Sequence, residues 1–232
     1  MANSDNLAMP YLEAAQAQKH VTHNEALRIL DAVVQLSVKD KDLTTPPGSP
    51  VAGDRYIVAA SATGAWAGQD NKIAAYQDGG WLFYTAQEGW RLWVADEGKQ
   101  YIWDGTAWMG ALALSPNQAF TNLDILEEEV SVTGTFTETT IQIPNRGIVF
   151  CVSTRTTEAI TGASSYDCGD GAVVNRYGGS LGIAINSSNA GVIGPTAYYA
   201  DTVIRLTANG GNFTGGKVRV AIHYMTCQVP QS

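Results

Sequence analysis

Residues 74–108 read AAYQDGGWLFYTAQEGWRLWVADEGKQYIWDGTAW. Apolar and polar residues alternate over short runs here, which predicts a series of short β-strands. The dipeptides Asp78-Gly79 and Asp104-Gly105 are typical of the tight turns that join two strands into a hairpin. We therefore predict a Trp-rich β-hairpin module over residues 46–112.

The same stretch contains five of the six tryptophans in the chain. Clusters of tryptophan build sugar-binding platforms, but they also build hydrophobic cores. Strand alternation turns Trp81 and Phe83 to one face, and few aliphatic side chains are available to fill a core here. We therefore expect most of these indole rings to be core, and we expect sugar recognition to lie elsewhere.

The N-terminal segment, residues 1–45, contains the one convincing helical pattern. Residues 22–25 read Thr-His-Asn-Glu, a capping box that predicts a helix start. An apolar stripe follows at helical spacing, formed by Leu27, Leu30, Val33 and Val34. A lone amphipathic helix cannot bury its stripe alone, so this helix must pack on the β part, on a second copy of the chain or on a larger assembly.

A second β region is predicted over residues 123–232, after a linker at 113–122. At least six short strands follow one another there, with Gly, Asn and Ser turns and no helix between them: VSVTG, TIQIP, GIVFCVSTR, GSLGIAI, TVIRLTA and KVRVAIHYM. In the last of these, Val218, Val220, Ile222 and Tyr224 share one face. This pattern predicts a β-sandwich or jelly roll. The predicted fold class is mainly β: a short helical segment, a β-hairpin module and a β-sandwich-like C-terminal domain.

Composition excludes several partners. The net charge is −8, and the Lys and Arg residues are scattered singly, so we expect neither nucleic acid nor an anionic membrane as a partner. No apolar run is long enough for a membrane span, and the first residues do not resemble a signal peptide, so we expect synthesis in the cytoplasm. The three cysteines fit no zinc pattern, and we expect no cofactor and no metal.

A catalytic constellation is not evident in the sequence. The only histidines are His20, His23 and His223, and no G-x-S-x-G motif occurs. Cys227 would share a strand face with His223, but at a separation of about 13 Å. His20 and His23 could be drawn as metal ligands together with Glu25, but polar residues at a helix start or an assembly contact are the preferred interpretation.

The segment SSYDCGDG, residues 164–171, is predicted to be a Gly-rich loop that carries Asp167 and Asp170. Paired carboxylates can bind calcium or act as the acid and base of a glycosidase, but aspartates that cap turns are commoner. Tyrosines and an arginine nearby could form a recognition face at one end of the sandwich, or at least one tyrosine of the 198–199 pair could be core. The candidate ligand-binding residues are Tyr166, Asp167, Asp170, Arg176, Tyr177, Tyr198 and Tyr199.

Two long stretches carry a resemblance to a known family. They are PYLEAAQAQKHVTHNEALRILDAVVQLSV at 10–38, and PPGSP followed by GDRYIVAASATGAWAGQDNKIAAYQDGGWLFYTAQEGWRLWV within 46–94. Over about residues 9–110 the chain resembles an uncharacterised domain family of alphaproteobacterial phages, prophages and gene transfer agents. More loosely, AITGASSYDCGDG and ANGGNFTGGKVRVAIHY resemble the β tip that often follows that module.

The resemblance implies a virion structural protein, a head spike or fibre subunit on the surface of a phage-like particle, and not an enzyme. Its expected partners are itself as a homotrimer, other capsid or tail proteins, and a host capsular polysaccharide. Two alternatives stay open: a capsule-cleaving depolymerase that uses Asp167 and Asp170, and a purely architectural spike-base or collar subunit. The candidate attachment residues are Tyr11, Gln16, His20 and His23.

Overall fold

The computed structural model describes residues 3–12 and 19–231, apart from the side chains of Lys19 and His20. The chain forms two compact units, Met1–Ala111 and Leu112–Ser232. Among the residues described, one short α-helix lies near the N-terminus, one 3-10 turn follows, and the rest of the regular structure is β, which confirms the predicted mainly-β class.

The first unit is built from one helix, a 3-10 turn and seven short strands. These are α1 (Lys19–Val33), the 3-10 turn (Gly64–Trp66), β1 (Ser37–Val38), β2 (Arg55–Ile57), β3 (Ile73–Gln77), β4 (Gly80–Tyr84), β5 (Arg91–Val94), β6 (Lys99–Trp103) and β7 (Trp108–Met109). They form two small sheets, with strand orders β1-β5-β6-β7 and β2-β3-β4. Only the β1–β5 pair is parallel.

The predicted hairpins are present. Strands β3 and β4 are joined through Asp78 and Gly79, both with positive φ, as a two-residue turn that follows the twist of the strands requires. Strands β6 and β7 are joined by a longer loop, in which one Asp104 carboxylate oxygen accepts hydrogen bonds from the N–H groups of Thr106 and Ala107.

The predicted capping box is wrong. Helix α1 already includes Lys19, so Thr22 and Glu25 lie inside the helix and not at its start. Asn24 has a different role, because its side-chain amide exchanges two hydrogen bonds, 2.9 and 3.1 Å long, with the backbone of Leu12.

A buried carboxylate on α1 holds the N-terminal segment. Asp31 is fully buried and accepts hydrogen bonds from the Ser4 hydroxyl, from the Leu7 backbone and from the backbone and side chain of Asn6. The Arg55 guanidinium is also buried and donates to the backbone carbonyls of Asp31 and Ala32, near the end of the helix. These contacts tie the segment, the helix and strand β2 together.

Aromatic side chains supply much of the core of the first unit, as expected. One cluster surrounds the fully buried Trp66, with Tyr56 and Trp81 at ring-centroid distances of 5.6 and 5.1 Å. A second cluster consists of aliphatic residues and Trp103, and Trp90 and Trp108 pack against it. Trp93 is the exception, because 47% of its surface is exposed.

The second unit, as far as Gln231, contains nine strands. These are β8 (Ala113–Leu114), β9 (Phe120–Ser131), β10 (Phe136–Ile143), β11 (Ile148–Thr161), β12 (Ser165–Gly169), β13 (Gly178–Leu181), β14 (Ser188–Ala197), β15 (Thr202–Asn209) and β16 (Gly215–Gln228). They form a five-stranded sheet, β14-β11-β16-β9-β8, and a four-stranded sheet, β10-β15-β12-β13. All of their pairings are antiparallel.

A single hydrophobic core lies between these two sheets. Val218, Val220, Ile222 and Tyr224 alternate along β16 and are all buried, as the period-two pattern predicts. Ile204 and Leu206 of β15 belong to the same cluster from the other sheet. The arrangement is β-sandwich-like, in agreement with the sequence.

Several segments differ from the sequence-based expectation. Residues 113–122, expected to be a linker, contain β8 and the start of β9 and belong to the second unit. The expected loop 164–171 is mostly strand β12, because Tyr166 and Cys168 alternate into the core and impose an extended backbone.

Candidate functional site

Asp170 is the centre of a hydrogen-bonded network at the end of strand β12. Its carboxylate accepts hydrogen bonds from the Val173 backbone (2.9 Å), the Tyr198 hydroxyl (2.8 Å) and the Arg176 guanidinium (2.5 Å). The Tyr198 hydroxyl also lies 2.6 Å from that of Tyr177. Four of the seven candidate ligand-binding residues are thus brought together, and they bind one another.

The electrostatics of this network follow from burial and from the hydrogen bonds. Burial alone would raise the pKa of Asp170, but its three donors outweigh that effect and hold the pKa below the ordinary range of an aspartate. The pKa of Tyr198 is raised by burial and by its donation to the Asp170 carboxylate. Asp170 is therefore a charged anchor for its neighbours.

The other aspartate of the candidate set is also occupied. Asp167 accepts hydrogen bonds of 2.7 Å from the Ser180 backbone N–H and from the Asn209 side chain. It lies within strand β12 and not in a loop, so it fixes β12 to the residues on either side of it. Both carboxylates serve the fold, which is the commoner role considered from the sequence.

The candidate tyrosines differ sharply in accessibility. Tyr166 and Tyr177 are buried in the sandwich core, so neither side chain can stack on a ligand, contrary to the expectation of an exposed face. Tyr198 packs partly against the same core. Tyr199 is 83% exposed and is the open member of the set, while Arg176 is half-buried over Asp170.

The candidate attachment residues lie at the start of the first unit. Tyr11 lies beside Arg28 of the helix, whose guanidinium carbon is 5.2 Å from the ring centroid, and His23 is exposed on the helix. Gln16 and the side chain of His20 lie outside the described residues. The helix also exposes the apolar side chains of Val21, Ile29 and Leu30, and Val34 is exposed directly after it. Two members of the predicted apolar stripe, Leu30 and Val34, therefore face solvent.

The outer face of the five-stranded sheet carries an apolar surface at one end, which was not predicted from the sequence. At one end, Ile125, His223, Cys151 and Val192 form a row across β9, β16, β11 and β14. Ile125 is 57% exposed and Val192 is 73% exposed, and Leu123 lies beside them in the next row. We call this set of residues the apolar half of the face. The alternation of Leu123 and Ile125 with polar residues was the sequence signal for it.

The other half of the same face is charged. Arg219 of β16 pairs with Glu129 at 3.2 Å, and Lys217 lies between Glu129 and Glu158. Where the two halves meet, the Ser153 hydroxyl lies 3.1 Å from Nε2 of His223, a member of the apolar half. The two residues stand on the open face of a sheet, and their contact links neighbouring strands β11 and β16.

Within the described ranges, no group of three or more His, Cys, Asp or Glu side chains could hold a metal ion. None of the helices described is long and apolar enough to cross a membrane.

The fold and these surfaces define a two-unit, mainly β protein with a helix-and-hairpin unit followed by a sandwich-like unit. Residues 23–109 match a family described as "Protein of unknown function (DUF2793)". A solved structure titled "Cyanophage Pam1 capsid asymmetric unit" is similar, with 20% identity and a TM-score of 0.36, over 46% of this chain and 86% of that one. No curated protein sequence matches the chain.

Proposed function

We propose that the chain is a structural subunit of a phage-like particle, a spike or fibre subunit that assembles with copies of itself. Three copies is the number we expect. The subunit attaches to the particle through its first unit and contacts a polysaccharide on the host surface. The resemblance of residues 9–110 to domains of phages and gene transfer agents supports this assignment.

The observation that carries the proposal is the apolar half of the exposed sheet face. Leu123 and Ile125 of β9 and Val192 of β14 are exposed on this half of the face, with His223 and Cys151 between Ile125 and Val192. Apolar side chains grouped on one exposed sheet face are typical of protein–protein contact sites. The charged half beside it, with Arg219 and Glu129, supplies groups of both signs that a second copy can match.

Attachment to the particle is assigned to helix α1 and the segment before it. Val21, Ile29 and Leu30 are exposed on the helix, and His23 lies on the same element. An amphipathic helix that leaves aliphatic residues in solvent is suited to a groove on a partner protein.

Catalysis is not part of the proposal. A depolymerase would need one carboxyl group to donate a proton and another to act as base or nucleophile. Asp170 is held charged by three donors, and Asp167 is engaged by Ser180 and Asn209. Incubation with host polysaccharide is therefore expected to release no new reducing ends, and release that is lost in Asp167→Asn would contradict this.

The assembly is tested by light scattering of the full chain at micromolar concentration. The wild type is expected to be a trimer, and Ile125→Glu is expected to shift it to monomer because a charge would be buried in the contact. Ile185→Glu is the matched control, since Ile185 is also exposed and in the second unit but outside the sheet face. A wild-type monomer would overturn the proposed assembly.

Particle membership is tested independently. Particles purified from producing cells are expected to contain the chain, detected by an antibody against it, and to carry the label on their surface in electron microscopy. Absence of the chain from purified particles would contradict the virion assignment, whatever the oligomeric state.

A further inference from the structure

Trp93 differs from every other tryptophan in its surroundings. Its neighbours on strand β5, Leu92 and Val94, are buried, while Trp93 itself points outward and is 47% exposed. Its backbone is firmly held, because Trp93 N–H donates to the Leu36 carbonyl at 2.9 Å and the residue pairs with Gln100 of β6. A large indole ring is thus presented to solvent from a rigid strand.

The ring lines a surface cleft of about 560 Å3. Val33 and Leu36 give the cleft an apolar side, and Gln35, Arg91 and Gln100 give it a polar side. Gln100 lies directly across from Trp93, and Arg91 lies two residues before it, so both share its face of the sheet. The volume lies within the range of small-molecule sites.

The polar groups of this cleft are uncommitted. Within the described part of the chain, the side chains of Gln35, Arg91 and Gln100 make no hydrogen bond or ion pair with one another or with other residues. Arg91 is also the one charged side chain that lines the cleft. Two amides and a guanidinium therefore line the same cleft as the exposed indole, with donors and acceptors available to a ligand.

We propose that the Trp93 cleft is a saccharide-binding site. A sugar ring has an apolar face of C–H groups, which stacks on an indole, and hydroxyl groups around its rim, which amides can bind in both directions. The guanidinium of Arg91 favours a sugar that carries a carboxylate, since arginine binds carboxylates with two parallel hydrogen bonds. The ligand class is therefore an acidic oligosaccharide.

This inference rests on the proposed function, and it assigns the proposed host contact to one site and to one class of sugar. It places sugar recognition in the first unit, where the sequence predicts mostly core tryptophans, and not at the tyrosines of the second unit. The buried Tyr166 and Tyr177 cannot supply a stacking platform, whereas Trp93 can.

The experiment uses the full chain and an array of bacterial oligosaccharides that includes uronic-acid sugars and their carboxyl-reduced counterparts. The variants are Trp93→Ala, Arg91→Gln and the control Leu82→Ala, an exposed apolar residue on strand β4 of the same unit. The affinity for the best array sugar is then measured by titration. NMR of the indole N–H groups shows which tryptophan responds to that sugar.

We expect Trp93→Ala to weaken binding roughly tenfold or more, because the stacking surface is lost. Arg91→Gln should remove the preference for the acidic sugar over its reduced form, and Leu82→Ala should bind as the wild type does. The indole signal that moves on binding should be the one missing from Trp93→Ala.

Three outcomes would overturn the site. If Trp93→Ala binds the array sugar with unchanged affinity, the cleft is not the site, although the proposed function stands. If the wild type binds no array sugar, both the site and the polysaccharide contact fail, and particle membership is still decided by particle purification. If Trp93→Ala binds sugar normally but is lost from particles, the cleft is an attachment contact.

Discussion

The Asp31 carboxylate accepts a 2.6 Å hydrogen bond from the backbone N–H of Leu7, 24 residues earlier in the chain. Ser4 and Asn6 donate further hydrogen bonds to the same carboxylate. Both oxygens of this buried, charged group therefore have hydrogen-bond donors. Burial would raise the pKa of Asp31, but these donors together lower it. One helix residue thus fixes the path of the N-terminal segment, where attachment is proposed.

Asp31→Ala is expected to release this segment from the helix. The variant leaves the donors of Ser4, Asn6 and Leu7 without an acceptor, which should lower the free energy of unfolding of the first unit by about 2 kcal/mol. All six tryptophans lie in this unit, so urea unfolding followed by tryptophan fluorescence reports on it alone.

Glu25→Ala is the control for that experiment, because Glu25 is exposed on the same helix and should change stability by less than about 0.5 kcal/mol. Amide hydrogen exchange at Asn6 and Leu7 should accelerate in Asp31→Ala alone. Unchanged protection of these two amides would show that the carboxylate does not hold the segment.

Tyr198 and Tyr199 are adjacent in the chain but are expected to respond oppositely to loss of the hydroxyl. Tyr198→Phe removes the donor to Asp170 and the partner of Tyr177, and should lower the stability of the second unit by about 1–2 kcal/mol. Tyr199→Phe should leave stability unchanged, because its side chain is almost fully exposed. Far-UV circular dichroism during urea unfolding measures both, and equal effects would contradict the network.

The sequence predicted those parts of the fold in which local pattern and burial agree. Strand β16 and the β3–β4 hairpin were found because alternation and turn residues act within a few positions. Strand β14 was missed because Gly191, Gly194 and Pro195 weaken its local pattern. Most of β9 was missed as well, and it is held along its length by β16, about 100 residues later in the chain.

The candidate site shows the same limit. The residue types of a recognition face were present, but the sequence does not show that Asp170 and Tyr198, 28 positions apart, bind each other. Likewise, alternation along β5 separates Trp93 from Leu92 and Val94 but does not show which of the two faces the other elements cover. That choice depends on how the helix end and strand β1 pack, which is a tertiary effect.

Asp170 should make the stability of the second unit depend on pH at acid values. Its folded pKa lies below the ordinary 3.8, so the stabilisation is fully present above that value and is lost as the pH falls through the folded pKa. Asp170→Asn should be less stable than the wild type at pH 7, and the difference should shrink as the pH falls below about 4. Urea unfolding at several pH values measures the difference, and a constant gap from pH 7 to 3 would contradict the assignment.

Gly191 and Gly194 lie three residues apart on strand β14 and offer a paired test of the sandwich packing. Neither has a positive φ, so replacement by alanine probes space and not backbone strain. A Cβ at Gly191 would overlap the carbonyl oxygen of Tyr177 and lie 2.7 Å from that of Val152, whereas a Cβ at Gly194 would meet nothing within 4 Å.

Gly191→Ala is therefore expected to lower the free energy of unfolding of the second unit by about 3 kcal/mol, and Gly194→Ala to change it by no more than about 0.5 kcal/mol. The clash would push β14 away from Tyr177, whose hydroxyl contacts Tyr198. The hydrogen bond from Tyr198 to Asp170 should weaken as a result. Faster hydrogen exchange at the Val173 amide in Gly191→Ala, but not in Gly194→Ala, would register this. Equal stability of the two variants would mean that β14 does not pack against Tyr177 as described.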